Sequence, residues 1–124
     1  MGACYSVTLK VDLVDEHGAV KALNDHMAND KRAVYNTTGI ATNTFDGLMQ
    51  SLLADHQHKV TMWQVEEFRC YENDFNASYG WESVMLDWFE VMAPFLGDCS
   101  TLLIYPDSDY DEVTIKDKKC LYIH

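Results

Sequence analysis

Apolar and polar residues alternate in the first part of the chain. Between Cys4 and Leu13 every second residue is apolar, and the residues between them are small, polar or charged. The apolar members are Tyr5, Val7, Leu9, Val11 and Leu13. Since successive side chains of a strand point to opposite faces, this alternation predicts a strand with one buried face.

Three later segments carry apolar residues at helical spacing. Asp15 is placed to cap a helix over residues 16 to 30, and Thr44 is placed to cap a second helix. The apolar residues of the second helix are Phe45, Leu48, Met49, Leu52 and Leu53. A third helix is predicted over residues 81 to 93 and ends at Pro94. Its apolar stripe comprises Trp81, Val84, Met85, Trp88, Phe89 and Met92.

The remaining apolar runs predict strands. Residues 59 to 71 are rich in β-branched and aromatic side chains and form one bent strand or two. Further strands are predicted in residues 102 to 105, 112 to 116 and 119 to 123. The last two form a hairpin that turns at Asp117 and Lys118. Residues 31 to 43 have no sustained period and predict a connecting loop.

The order of these elements is β-α-α-β-α-β-β, which is typical of an α+β fold. We expect one domain over residues 1 to 124, with a mainly antiparallel sheet of four to five strands and about three helices packed on one face. A chain of 124 residues fits one domain. A doubly wound parallel sheet is disfavoured, because too few strand-helix crossovers remain after the last helix.

Charge is distributed unevenly along the chain. From Cys70 to Ile115 there are ten Asp or Glu residues and no Lys, Arg or His, so this stretch holds −10 of the formal net charge of −11. The hydrophobic content of 48% nevertheless excludes intrinsic disorder, because disordered acidic segments are poor in apolar residues. Uncompensated charge of one sign decides which surfaces a folded protein attracts.

The candidate partner-binding residues are the acids of the third helix and of the loop before the last hairpin. They are Glu82, Asp87, Glu90, Asp107, Asp109, Asp111 and Glu112. We expect a small acidic, non-enzymatic interaction protein that binds a basic protein surface in place of nucleic acid, in an inhibitor or immunity-type role. Direct binding of nucleic acid is not expected, because phosphates would meet ten acids. Solubility alone is the competing explanation of the charge.

Two clusters contain residue types that bind metal ions. The segment from Asp107 to Glu112 begins like a calcium-binding loop, but that loop needs Gly where Glu112 stands and Glu where Lys118 stands. His56 and His58 alternate near the end of the second helix, and two imidazoles do not complete a tetrahedral site. We therefore predict no metal and no cofactor.

No catalytic motif occurs in the chain. The four cysteines form no Cys-x-x-Cys pair, and neither a nucleophile elbow nor a phosphate-binding glycine loop is present. No catalytic residue is predicted, and the alternative function is a small-ligand-binding domain or an enzyme without a recognisable motif. No apolar run approaches the ~18 residues of a membrane span. We expect a cytoplasmic protein without a membrane partner; its oligomeric state stays open.

Overall fold

The computed structural model describes residues 2–30, 39–54, 59–105 and 110–123. Its strands are β1 (Gly2–Val11), β2 (Thr61–Val65), β3 (Phe68–Ser78), β4 (Thr101–Tyr105), β5 (Asp111–Lys116) and β6 (Lys119–Tyr122). Its helices are α1 (Glu16–Asn29), α2 (Phe45–Leu52) and α3 (Trp81–Met92). The alternation in β1 has the predicted effect, because Tyr5, Val7, Leu9 and Val11 are all buried.

The strands form one antiparallel sheet in the order β2-β3-β1-β4-β5-β6. The first strand of the chain is central, and it pairs with β3 from Gly2 opposite Ser78 to Val11 opposite Arg69. The predicted α+β class and element order are confirmed. The sheet has six strands rather than four to five, because the chain from 61 to 78 folds back on itself at Glu66 and Glu67 to give two strands.

Side-chain caps begin the first two helices as predicted. Asp15 accepts a hydrogen bond of 3.0 Å from the backbone N–H of Gly18, and Thr44 accepts one of 3.1 Å from that of Gly47. Gly47 must be a glycine, because a Cβ there would lie 1.8 Å from the carbonyl oxygen of Ala41. The five apolar residues assigned to the second helix are all buried.

The third helix ends as its sequence predicts. After α3 the chain makes a single 3-10 turn, Ala93–Phe95, that contains Pro94. The closing hairpin also turns where predicted: Asp117 and Lys118 have φ values of 53° and 63°. Two successive residues with positive φ are the signature of the tight turn that matches the twist of paired strands.

The helices cover one face of the sheet, and the core lies between the two layers. Its largest fully buried side chains are Trp88, Tyr5, Tyr71, Phe45, Phe89, Leu9, Leu23, Leu48, Met49, Leu53, Met85 and Met92. The side of the sheet that faces away from the helices is called the open face below. Residues 31 to 38 of the predicted loop lie outside the described residues, as do His56, His58, Asp107 and Asp109.

Candidate partner-binding surface

Strand register determines which side chains share the open face. Residues directly opposite each other in antiparallel strands project to the same side of the sheet. Glu72 lies opposite Thr8, Thr8 opposite Leu103, and Leu103 opposite Glu112. The side chains of β1 with even numbers point away from the helices, so this row lies on the open face. The hydroxyl of Thr8 donates a hydrogen bond of 3.3 Å to Glu72.

A second acidic row lies beside the first. Asp74 is opposite Ser6, and Ser6 is opposite Tyr105. Asp74 stands about 6.8 Å from Glu72 along β3, whereas three strand spacings of about 4.8 Å separate Glu72 from Glu112. We call Glu72, Asp74 and Glu112 the acidic sheet face. Glu72 and Asp74 are exposed and Glu112 is half-buried, so all three carboxylates can meet a partner.

An aromatic pair borders the acidic sheet face. The rings of Tyr105 and Tyr110 stack with their centroids 5.3 Å apart, and Tyr105 is 48% exposed. These two residues flank positions 106 to 109, which include two of the predicted candidate acids. Exposed tyrosine is typical of protein-binding surfaces, because the ring supplies contact area and the hydroxyl a hydrogen bond.

Bases occupy the opposite end of the open face. The ammonium group of Lys10 lies 4.6 Å from the centroid of the Phe68 ring, a cation–π contact. Lys116 lies opposite Lys119 beside the closing turn. Among the strand residues that the structure describes, the two acidic rows contain no Lys or Arg. The described lysines of the open face therefore lie at the end away from the two acidic rows.

The acids of α3 belong to the helix layer and contact the sheet. Glu82 accepts a hydrogen bond from the hydroxyl of buried Tyr5, and Glu90 accepts one from the hydroxyl of Tyr122. Glu82 and Asp87 are half-buried, and Glu90 is exposed. The sequence placed all three opposite the apolar stripe but gave no sign of these contacts.

The predicted loop acids divide between two sides of the molecule. Asp111 lies opposite Ile104, which faces the helices, whereas Glu112 lies on the open face. Asp107 and Asp109 lie outside the described residues. The described part of the predicted set therefore does not form one patch, since the helix acids and Glu112 are on opposite sides of the sheet.

Two pKa values report the contacts of the helix acids. Burial, together with the hydrogen bond to Glu82, raises the pKa of Tyr5 to about 12. Burial and the neighbouring Glu90 likewise raise the pKa of the Cys120 thiol to about 12. Both groups are therefore neutral near pH 7.

An open depression of about 460 Å³ lies where the helix layer stops short of β2. It is lined by Asp46, Met62, Trp63, Gln64, Arg69, Cys70 and Tyr71. Arg69 makes a two-pronged ion pair with Glu16 and lies 3.9 Å from Asp46. Burial and Asp46 raise the pKa of Tyr71, and the bond to Glu16 raises that of Arg69. Both side chains are therefore protonated at neutral pH.

Within 2–30, 39–54, 59–105 and 110–123, no three His, Cys, Asp or Glu side chains come close enough to hold a metal ion. None of the helices in those ranges is long and apolar enough to cross a bilayer.

Sequence reasoning missed Glu72 and Asp74. The predicted strand ended near residue 71, although polar residues at 72, 74 and 76 alternate with Tyr71 and Phe75. Asn73 interrupts the apolar half of this pattern because its side chain points inward, where it donates a hydrogen bond of 2.8 Å to the carbonyl of Leu53. The alternation of polar and apolar residues from 71 to 76 is the pattern that indicates a longer strand with Glu72 and Asp74 on its polar face.

Comparison of the chain with protein-family models, with curated proteins and with solved structures found no match.

Proposed function

We propose that this chain is a non-enzymatic interaction protein that binds a basic protein surface through the acidic sheet face. The observation that carries the proposal is the position of three carboxylates in two adjacent rows of the open face, with no base on the described strands of those rows. Such a surface attracts cations and repels polyanions.

A nucleic-acid-binding groove is the kind of basic surface that fits best. Proteins that bind duplex DNA arrange Lys and Arg against one charge per about 1.7 Å of helix axis. Carboxylates on a rigid sheet can occupy such a groove in place of phosphates, in an inhibitor or immunity-type role. Tyr105 supplies the aromatic contact at which binding energy concentrates in protein interfaces.

The helix acids have a smaller part in this proposal. Glu82 and Glu90 already accept hydrogen bonds from tyrosine hydroxyls, so a partner would have to compete with an internal donor. Glu72, Asp74 and Glu112 carry the proposed contact, whereas Asp111 faces the helix side of the sheet and takes no part in it.

The proposal includes a cytoplasmic location. Its support is the free state of the four cysteines, Cys4, Cys70, Cys99 and Cys120. Disulfides are rare in the reducing cytosol.

Capture from native cell extract tests the proposal. Three proteins are compared as bait: the wild type, the variant Glu72→Gln/Asp74→Asn/Glu112→Gln, and a control variant with the same charge loss elsewhere. The control carries Asp25→Asn, Glu66→Gln and Asp117→Asn, at three exposed positions off the acidic sheet face. Each capture is repeated at low and high salt, and with duplex DNA as competitor.

The expected result is a basic protein that the wild type and the control capture at low salt, that the acidic-face variant does not capture, and that DNA displaces. High salt should release it, because the distance over which exposed charges interact falls from about 10 Å at 0.1 M salt to about 3 Å at 1 M. Equal capture by all three baits, or capture that neither salt nor DNA affects, would refute the proposal.

A further inference from the structure

The aromatic pair beside the acidic sheet face covers only one side of the Tyr105 ring. Tyr105 is the last residue of β4, and one step beyond the register that pairs Ile104 with Asp111 it comes opposite Tyr110. The two rings lie 25° from parallel, with their centroids 5.3 Å apart. Tyr110 therefore covers the ring face of Tyr105 that is turned toward β5, although Tyr105 as a whole stays 48% exposed.

The residue on the other side of Tyr105 is small. On the open face Tyr105 lies opposite Ser6 of β1, and Ser6 lies opposite Asp74 of β3. A serine side chain is too short to cover an aromatic ring on the neighbouring strand, so the second ring face of Tyr105 is open toward β1. The three residues form a cleft with the ring and the carboxylate as its walls and the serine as its floor. We call it the Ser6 cleft.

The width of the Ser6 cleft suits one planar group. The strands of its two walls, β4 and β3, are separated by β1, so two strand spacings place the backbones of Tyr105 and Asp74 about 9.6 Å apart. A planar group in contact with the ring lies about 3.5–4 Å from it. The remaining width leaves room for a hydrogen bond of about 2.9 Å to the carboxylate of Asp74.

The charge around the Ser6 cleft favours a cation. Glu72 lies on the same strand and face as Asp74, and Glu112 lies two residues after Tyr110. A cation placed over an aromatic ring is attracted by the ring as well as by the carboxylates. The group that fits the cleft is therefore planar, positively charged and able to donate hydrogen bonds.

We propose that the Ser6 cleft binds an arginine side chain of the basic partner, with the guanidinium stacked on Tyr105 and hydrogen-bonded to Asp74. The guanidinium group is planar, weakly hydrated and stacks on aromatic rings, whereas the ammonium group of lysine is a compact, strongly hydrated point charge. The N–H groups of arginine can also donate two parallel hydrogen bonds to one carboxylate. This inference rests on the proposed function and specifies which residue type of the partner the acidic sheet face recognises.

Calorimetric titration with two peptides of equal charge tests the inference. The probes are hexa-arginine and hexa-lysine, and the measured quantity is the ratio of their dissociation constants at about 0.1 M salt. A surface that attracts by charge alone binds the two peptides about equally. The wild type should bind hexa-arginine at least about threefold more tightly, because the stacked contact with Tyr105 adds to the charge attraction.

Two variants remove the stacking contact without changing any charge. Ser6→Leu fills the floor of the cleft and covers the open ring face, and Tyr105→Leu removes the ring. Ser6 is half-buried and Tyr105 exposed, on the face away from the core, so both variants should fold. Each should lose the preference for hexa-arginine and keep its affinity for hexa-lysine. Tyr79→Leu is the matched control, because Tyr79 is 65% exposed and lies past the end of β3; it should keep the preference.

The variant Glu72→Gln/Asp74→Asn/Glu112→Gln separates this inference from the proposed function. It should weaken the binding of both peptides by about tenfold or more, because it removes three charges. A preference for hexa-arginine that either cleft variant retains, or that the wild type lacks, would overturn the arginine cleft; weaker binding of both peptides by the triple variant would then still support the acidic sheet face. Binding of neither peptide by the wild type would overturn the cleft and contradict the proposed function as well.

Discussion

The hydroxyl of Tyr71 donates a hydrogen bond of 2.5 Å to a carboxylate oxygen of Asp46, which joins the sheet to the start of α2. Tyr71 is only 1% exposed, whereas the side chain of Asp46 is 57% exposed. Tyr5 with Glu82 and Tyr122 with Glu90 repeat the arrangement on α3. Three tyrosine hydroxyls of the sheet thus contact carboxylates of the helix layer. Each carboxylate keeps its charge, but one of its oxygens already has an internal donor.

The unequal burial of Tyr71 and Asp46 predicts unequal effects of removing either partner. Tyr71→Phe leaves a carboxylate that water can solvate, and it should cost about 1 kcal/mol of unfolding free energy. Asp46→Ala leaves the buried hydroxyl of Tyr71 without this acceptor and also removes the carboxylate near Arg69. It should therefore lower the unfolding free energy by about 2 kcal/mol. Urea denaturation measures both values. A larger loss for Tyr71→Phe would contradict this explanation.

Tyr5 should make the protein sensitive to alkali. Its pKa is about 12 in the fold and 10.0 when unperturbed, so the folded state favours the neutral hydroxyl. The stabilisation is complete below pH 10 and is lost as the pH rises from 10 towards 12. Tyr5→Phe should therefore flatten the fall of unfolding free energy across that interval. An unchanged pH profile for this variant would contradict the assignment.

The four thiols should fall into two classes of reactivity. Cys4 and Cys99 are exposed, whereas burial raises the pKa of Cys70, and burial with Glu90 raises that of Cys120 to about 12. Because the thiolate is the reactive species, Cys120 should alkylate more than about a hundredfold more slowly than the exposed pair at pH 8. Mass spectrometry of the partly labelled chain identifies the sites. Equal alkylation rates for all four cysteines would contradict the burial of Cys70 and Cys120.

The closing turn offers a stabilising substitution. Asp117 and Lys118 both have positive φ, a conformation that costs residues other than glycine, asparagine and aspartate about 1 kcal/mol, so the cost falls on Lys118. Asp117→Asn/Lys118→Gly supplies the residue pair that this turn prefers. It should raise the unfolding free energy by roughly 0.5–1 kcal/mol, after the entropy cost of the new glycine. Lys118→Ala, which retains the strain, is the control and should bring no gain.

Local patterns explain why the helices could be predicted. Four apolar residues of α2 and its C-cap Leu53 follow helical spacing without interruption, and Asp15 and Thr44 are side-chain caps. The hairpin between β2 and β3 was harder to see because its turn is Glu66-Glu67, with neither glycine nor asparagine. Glu66 has a φ of 55°, which no turn preference of the sequence indicates.

The candidate site could be predicted only in part. A run of acids identifies the charge, but strand register decides which acids share a face, and register depends on contacts between distant segments. Glu72 and Glu112 are 40 residues apart in the sequence and meet in one row because β1 and β4 lie between their strands. The partners of Glu82 and Glu90 are tyrosines 77 and 32 residues away in the sequence, so local sequence could not reveal them.

The most direct test of the acidic sheet face is the salt dependence of its association rate with the captured basic protein. For the wild type, the rate constant should fall at least about tenfold from about 0.05 M to about 0.5 M salt, because complementary charges accelerate encounter. The variant Glu72→Gln/Asp74→Asn/Glu112→Gln should associate more slowly, with a shallower dependence. The same slope for wild type and variant would show that these three carboxylates do not form the binding surface.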